Sequence, residues 1–94
     1  MKTKYANLLR DAVVESNLTY SKIIDKCKEK GVSFSGSYLS KLCTGWMPPP
    51  SDDINRALAE VLSPVSSITY EKLALAKYKE IIPADILEAI AAGQ

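Results

Sequence analysis

The sequence predicts an all-α domain of five or six short helices, and three observations predict it. Apolar residues recur three and four positions apart along most of the chain, which is the spacing of one helix face. No segment alternates apolar and polar residues with the period of two that a half-buried strand requires. Gly, Pro, Ser and Thr stand between the periodic segments, where they start and stop helices. A chain of 94 residues supports one core and not two independent ones.

A first helix is expected over about residues 3–16, with Tyr5, Leu8, Leu9, Ala12 and Val13 along one side. Asn17-Leu18 breaks it. Thr19 is a good N-cap for a second helix over about 20–30, because its hydroxyl can accept from a free first-turn amide. Ile23, Ile24 and Cys27 form its apolar stripe, and Gly31 ends it by taking a left-handed backbone cheaply. Val32-Ser33-Phe34-Ser35 is a connector of β character. Ser35 can cap a third helix over about 36–44, with Leu39, Leu42 and Cys43 inward and Gly45 as the stop. Pro48-Pro49-Pro50 cannot be helix interior and is expected to be extended. It reads as a rigid link within the domain rather than a ligand for a proline-binding module.

Ser51 is expected to cap a fourth helix over about 52–62, with Asp52 and Asp53 in the first turn, where the helix dipole favours anions. Its buried stripe would be Ile54, Ala57, Leu58, Val61 and Leu62. Ser63-Pro64 closes it. A fifth helix is expected over about 68–79, carrying Leu73 and Ala76. Pro83 suits the first turn of a short sixth helix with Ile86, Leu87 and Ile90. Tyr70, Leu73, Leu87 and Ile90 fit either a core or a dimer surface.

Composition removes whole classes of function. The chain is 47% hydrophobic and 24% charged, as soluble globular domains are. It has no histidine and two cysteines, so it offers no His-Cys zinc site and no Ser-His or Cys-His nucleophile pair. Asp52, Asp53 and Glu71 read as helix-start residues rather than an acid–base set. The chain is therefore expected not to be an enzyme and to need no metal or cofactor. Cys27 and Cys43 both sit in apolar stripes and are expected to be reduced core residues. No apolar run approaches the roughly 18 residues of a membrane span, and no apolar signal region succeeds the basic N-terminus. A cytoplasmic location is the expectation.

Charge is unevenly spread. Residues 1–46 carry a net +4 and residues 47–94 a net −3, leaving +1 overall. A nearly neutral protein can still present a basic face to an anion. The informative segment is Thr19 to Gly45, two short helices around a connector. On the second of them Gly36, Ser37, Ser40, Lys41 and Thr44 fall three and four apart, opposite the apolar positions. Small side chains allow close approach. Hydroxyls can bond phosphate or base edges, and Lys41 can reach guanine acceptors or phosphate. Spacing alone fits an ordinary solvated face equally well.

Gly31-Val32-Ser33, Ser37-Tyr38-Leu39-Ser40-Lys41-Leu42, Thr44-Gly45 ahead of the prolines, and Leu58-Ala59-Glu60-Val61-Leu62 together resemble the Cro-type, lambda-repressor-like helix-turn-helix domain. The resemblance covers about residues 5–63, and Tyr70 to Tyr78 is similar to the segment C-terminal to the domain in some members. It implies a DNA-binding domain over 1–63 and a C-terminal helical extension over 64–94, packed on it or used for dimerisation. It also implies that the third helix reads the major groove. Gly36, Ser37 and Lys41 would face base edges, and Ser40 and Thr44 the groove wall or phosphates. Tyr20 and Ser21 would approach the DNA backbone at the start of the second helix, aided by its free amides. Lys22 would add phosphate attraction, and Met47 would reach the DNA from the loop. The chain departs from the family pattern in a longer connector, in Cys43 for a frequent glutamate, and in Trp46-Met47 where a basic residue often stands after the glycine.

The implied function is a double-stranded-DNA-binding transcriptional regulator, a repressor by expectation, of the small kind found in phages and mobile elements. A homodimer or a regulatory protein would be its further partner. The alternative is a protein–protein module, an antirepressor or adaptor on the same fold. The low net charge, the lone cation on the presumed reading face and the apolar tail favour that alternative. Trp46 is expected to pack between the third helix and the proline link rather than to stack on nucleic acid. Lys26, Lys28 and Lys30 read as a solvated basic edge.

Overall fold

The computed structural model describes residues 4–81 together with Ile86 and Ala89. It is all-helical, as the periodicity predicts. The elements are α1 (Lys4–Ser16), α2 (Tyr20–Glu29), α3 (Gly36–Thr44), α4 (Asp52–Leu62), a 3₁₀ turn (Ser63–Val65) and α5 (Tyr70–Ile81). Pro83, Leu87 and Ile90, the rest of the expected sixth helix, lie outside the described residues; Ile86 and Ala89 are helical and exposed.

The helix ends have local chemical causes. Thr19 Oγ1 accepts from the Lys22 amide at 3.1 Å, and Ser35 Oγ accepts from the Tyr38 amide at 3.1 Å. Each bond satisfies an amide that the helix cannot. α2 closes through Gly31, at φ 84°, with the Val32 amide on the Cys27 carbonyl and the Gly31 amide on that of Lys28. This is a Schellman closure, and it turns Val32 back onto the core. α1 ends at Asn17, whose φ of 59° is one that Asn tolerates better than most residues.

Two expectations about helix starts need correction. Ser51 occupies the N-cap of α4, yet its hydroxyl makes no capping bond; the carboxylates of Asp52 and Asp53 supply the negative charge there. α5 begins at Tyr70 rather than 68, because Thr69 caps it by accepting from the Lys72 amide at 3.2 Å.

The core draws on every helix. Tyr5, Leu9, Ile23, Leu39, Leu42, Leu58, Leu62 and Leu73 are its large fully buried side chains. α1 packs on α3, α4 and α5, while α2 packs on α3 and α4. Leu73 and Ala76 of α5 belong to the same cluster as Leu39 of α3, so the chain beyond residue 63 contributes to one shared core. The inward faces expected for α3 and α5 are buried as predicted.

Three polar residues enter the interior unannounced by the apolar pattern: Ser16, Asn55 and Lys77. Each makes a hydrogen bond, while Asn55 Nδ2 is buried with no partner among the described residues. The Ser16 hydroxyl donates to the Val13 carbonyl at 2.7 Å. The Tyr5 hydroxyl donates to Asn55 Oδ1 at 2.6 Å. Lys77 Nζ donates to Asp52 Oδ1 at 2.6 Å, and the Tyr78 hydroxyl donates to the same oxygen at 2.7 Å. Asp52 is thus a tether between α4 and α5 as well as a helix-start residue.

Candidate nucleic-acid interface

The α2–α3 pair is assembled from its caps and its inner faces. Ile23 and Cys27 of α2 and Leu39, Leu42 and Cys43 of α3 all enter the core. The connector is itself anchored: Val32 and Phe34 pack against the core, and the Phe34 and Tyr38 rings meet at 6.1 Å between centroids. With one side of α3 committed inward, helical geometry sends Ser37, Lys41 and Thr44 to solvent. Gly36 and Ser40 are half-buried beside them. The five residues expected on one face are therefore brought together. At Gly36 an added Cβ would meet only Ile24 Cδ1, at an ordinary 3.8 Å, so close packing does not demand glycine there.

The hydroxyls are not equivalent. Thr44 Oγ1 donates to the Ser40 carbonyl at 3.0 Å, so its proton is engaged within the helix. It retains acceptor capacity, which suits a base amino group and not a phosphate oxygen. No such internal bond engages the hydroxyls of Ser37 and Ser40 among the described residues.

At the start of α2, Tyr20 is more buried than Ser21 and Lys22. Tyr20 is half-buried and packs against the core beside Cys43. Burial, and after it the Cys43 contact, raises its pKa. Besides this part-buried phenol, Tyr20 offers an anion its backbone amide. That amide and the Ser21 amide are the first two of the helix and have no intrahelical acceptor. Ser21 and Lys22 are exposed.

Lys41 is the one charged residue of α3. Among the described residues, neither Lys41 nor Lys22 lies within ion-pair distance of a carboxylate. Lys26 and Lys28 are exposed and likewise unpaired, whereas Lys30 reaches Glu60 at 3.3 Å. Cys27 and Cys43 are free and buried. Burial pushes the Cys27 thiol up to about 11 and raises Cys43 as well, so both stay protonated at neutral pH and unreactive.

Trp46 overturns its expected placement. It does not pack between α3 and the proline link; it is 76% exposed. Gly45, at φ 83°, reverses the chain at the end of α3, and the Trp46 amide closes onto the Lys41 carbonyl at 2.9 Å. The backbone turns back and the side chain is exposed, whereas Pro50 of the proline link is buried. Met47 is also exposed.

No helix among the described residues is long and apolar enough to cross a membrane. No protein-family model, characterised protein or solved structure matches the chain.

Proposed function

We propose that this chain binds double-stranded DNA through α3 and regulates transcription, as a repressor. The observation that carries the reading is the division of α3. Leu39, Leu42 and Cys43 are sealed in the core, while Ser37, Ser40 and an unpaired Lys41 share the other side of a helix held by a side-chain cap and a left-handed glycine closure. A fixed helix with a small, hydroxyl-bearing, cationic face suits the major groove. The resemblance to lambda-repressor-like domains supports the same reading. Lys22 and the first amides of α2 would add phosphate contacts. As a homodimer, two copies of α3 would read half-sites about one DNA turn (~34 Å) apart. Such a regulator works in the cytoplasm, beside its operator.

The test is fluorescence anisotropy against a labelled random-sequence duplex, first at low salt and then at rising salt. Binding should fade steeply, by about 0.9 in log affinity per decade of salt for each phosphate neutralised. Absence of binding at low salt would overturn the reading.

A second reading, a protein–protein module, is favoured by the seam between α1 and α5. There Leu8, Leu75 and Ala76 floor a shallow groove edged by Lys4, Lys72 and Lys79. An apolar floor with a cationic rim suits an acidic protein partner. Binding there would need no DNA.

A further inference from the structure

Trp46 is the most exposed aromatic side chain of the molecule; the six other aromatic residues are all buried or half-buried. Its backbone is nevertheless fixed. The Trp46 amide is 2.9 Å from the Lys41 carbonyl, the Met47 amide is 3.4 Å from the same oxygen, and Pro48 prevents the helix from resuming. The backbone that carries the indole is therefore set at the end of the helix that carries Ser37, Ser40 and Lys41, and needs no ordering when a ligand arrives.

We propose that Trp46 is a contact to the sugar–phosphate backbone of duplex DNA, its ring against deoxyribose and its Nε1–H donating to a phosphate oxygen. This rests on the DNA-binding reading of α3. Three points of chemistry carry it. The indole nitrogen is a donor only and a phosphate oxygen an acceptor only, so the pair is complementary. A helix C-terminus carries partial negative charge, which opposes a phosphate. Here the Gly45, Trp46 and Met47 amides all converge on the Lys41 carbonyl and Thr44 Oγ1 covers that of Ser40, which reduces the opposition. A single donor also cannot make the paired contact that identifies a base, so Trp46 fits a positioning role rather than sequence reading.

The chain has one tryptophan, so emission excited at wavelengths beyond tyrosine absorption reports this residue alone. Acrylamide should quench it readily in the free protein and much less in the complex with a random-sequence duplex. Trp46→Ala should weaken binding about two- to tenfold, the size of one hydrogen bond. The loss should be equal on random and on selected duplexes, with the salt slope unchanged because no charge is removed. Trp46→Phe, which keeps a ring and loses the N–H, should fall between. Thermal melting of both variants should match the parent, since the side chain supports no core. A complex that forms with Trp46 still fully quenchable, or Trp46→Ala at parental affinity, would overturn the contact and leave the α3 reading standing. A loss confined to one DNA sequence would also overturn it, in favour of a base contact. Failure of the parent protein to bind duplex at low salt would overturn both.

Discussion

The α2–α3 pair and the seam joining α4, α5 and α1 are held by opposite means. In the pair, the decisive polar bonds are short-range: Thr19 to Lys22 and Ser35 to Tyr38 are each three residues apart. Gly31 and Gly45 close both helices within their own last turns. In the seam the polar ties that join one helix to another are long-range. Asp52 meets Lys77 and Tyr78 across 25 and 26 residues, Tyr5 meets Asn55 across 50, and the Tyr5 amide meets Glu80 across 75. Glu15 accepts from the Ser67 amide in the same way. The presenting unit is shaped by its own residues, and the seam exists only once the chain has folded. A contact surface gains from the first arrangement, because its helix ends do not depend on distant partners.

The two faces of α3 give the largest test of this contrast. Leu39→Ala deletes a fully buried side chain and should cost about 2–5 kcal/mol, read from urea unfolding. A parental midpoint would mean that α3 is not seated by Leu39. Lys41→Ala, two residues along on the exposed side, should leave stability within about 0.5 kcal/mol. It should weaken duplex binding by about 1–3 kcal/mol. Unchanged affinity and specificity would remove Lys41 from the interface.

The caps sharpen the comparison further. Ser35→Ala removes a bond that is made and should cost about 1 kcal/mol. Ser51→Ala removes a hydroxyl that makes no capping bond and should cost under about 0.5 kcal/mol. Equal costs in thermal melts would show that position alone, and not the bond, sets the effect.

The smallest effect is the acid response of the seam. Hydrogen bonds from Lys77 and then Tyr78 hold the Asp52 carboxyl below its ordinary value of 3.8. A depressed carboxyl contributes its stability above the unfolded pKa and loses it as pH falls through the folded one. The contribution is therefore complete by about pH 5 and fades below about pH 4. Comparing urea midpoints on either side of that window, Asp52→Asn should show a smaller acid loss than the parent. An identical loss would assign it to other carboxylates. Much of the Asp52 side chain is exposed, which screens the effect and keeps it small.

Legibility divides along the same line. The helices and the inward faces of α3 and α5 could be read from spacing, and Thr19, Ser35, Gly31 and Gly45 from residue type. Asn55, Lys77 and Asp52 could not be read, because each is explained by a residue that no local pattern names. At the candidate interface the line of Ser37, Ser40 and Lys41 was legible. Three details were not: Tyr20 half-buried against the core, the Thr44 proton engaged on Ser40, and Trp46 set in solvent.

By itself, then, the sequence determined the all-helical class, the limits of α2 and α3 and the polar face of α3. Those depend on hydrogen bonds and side-chain periodicities spanning three or four residues, which are written in the local chain. Only the tertiary structure decided which polar groups are buried, which carboxylate ties α4 to α5, and that Trp46 faces outward. Those outcomes depend on what lies opposite a side chain in space, and the opposite residue is supplied by a distant part of the chain.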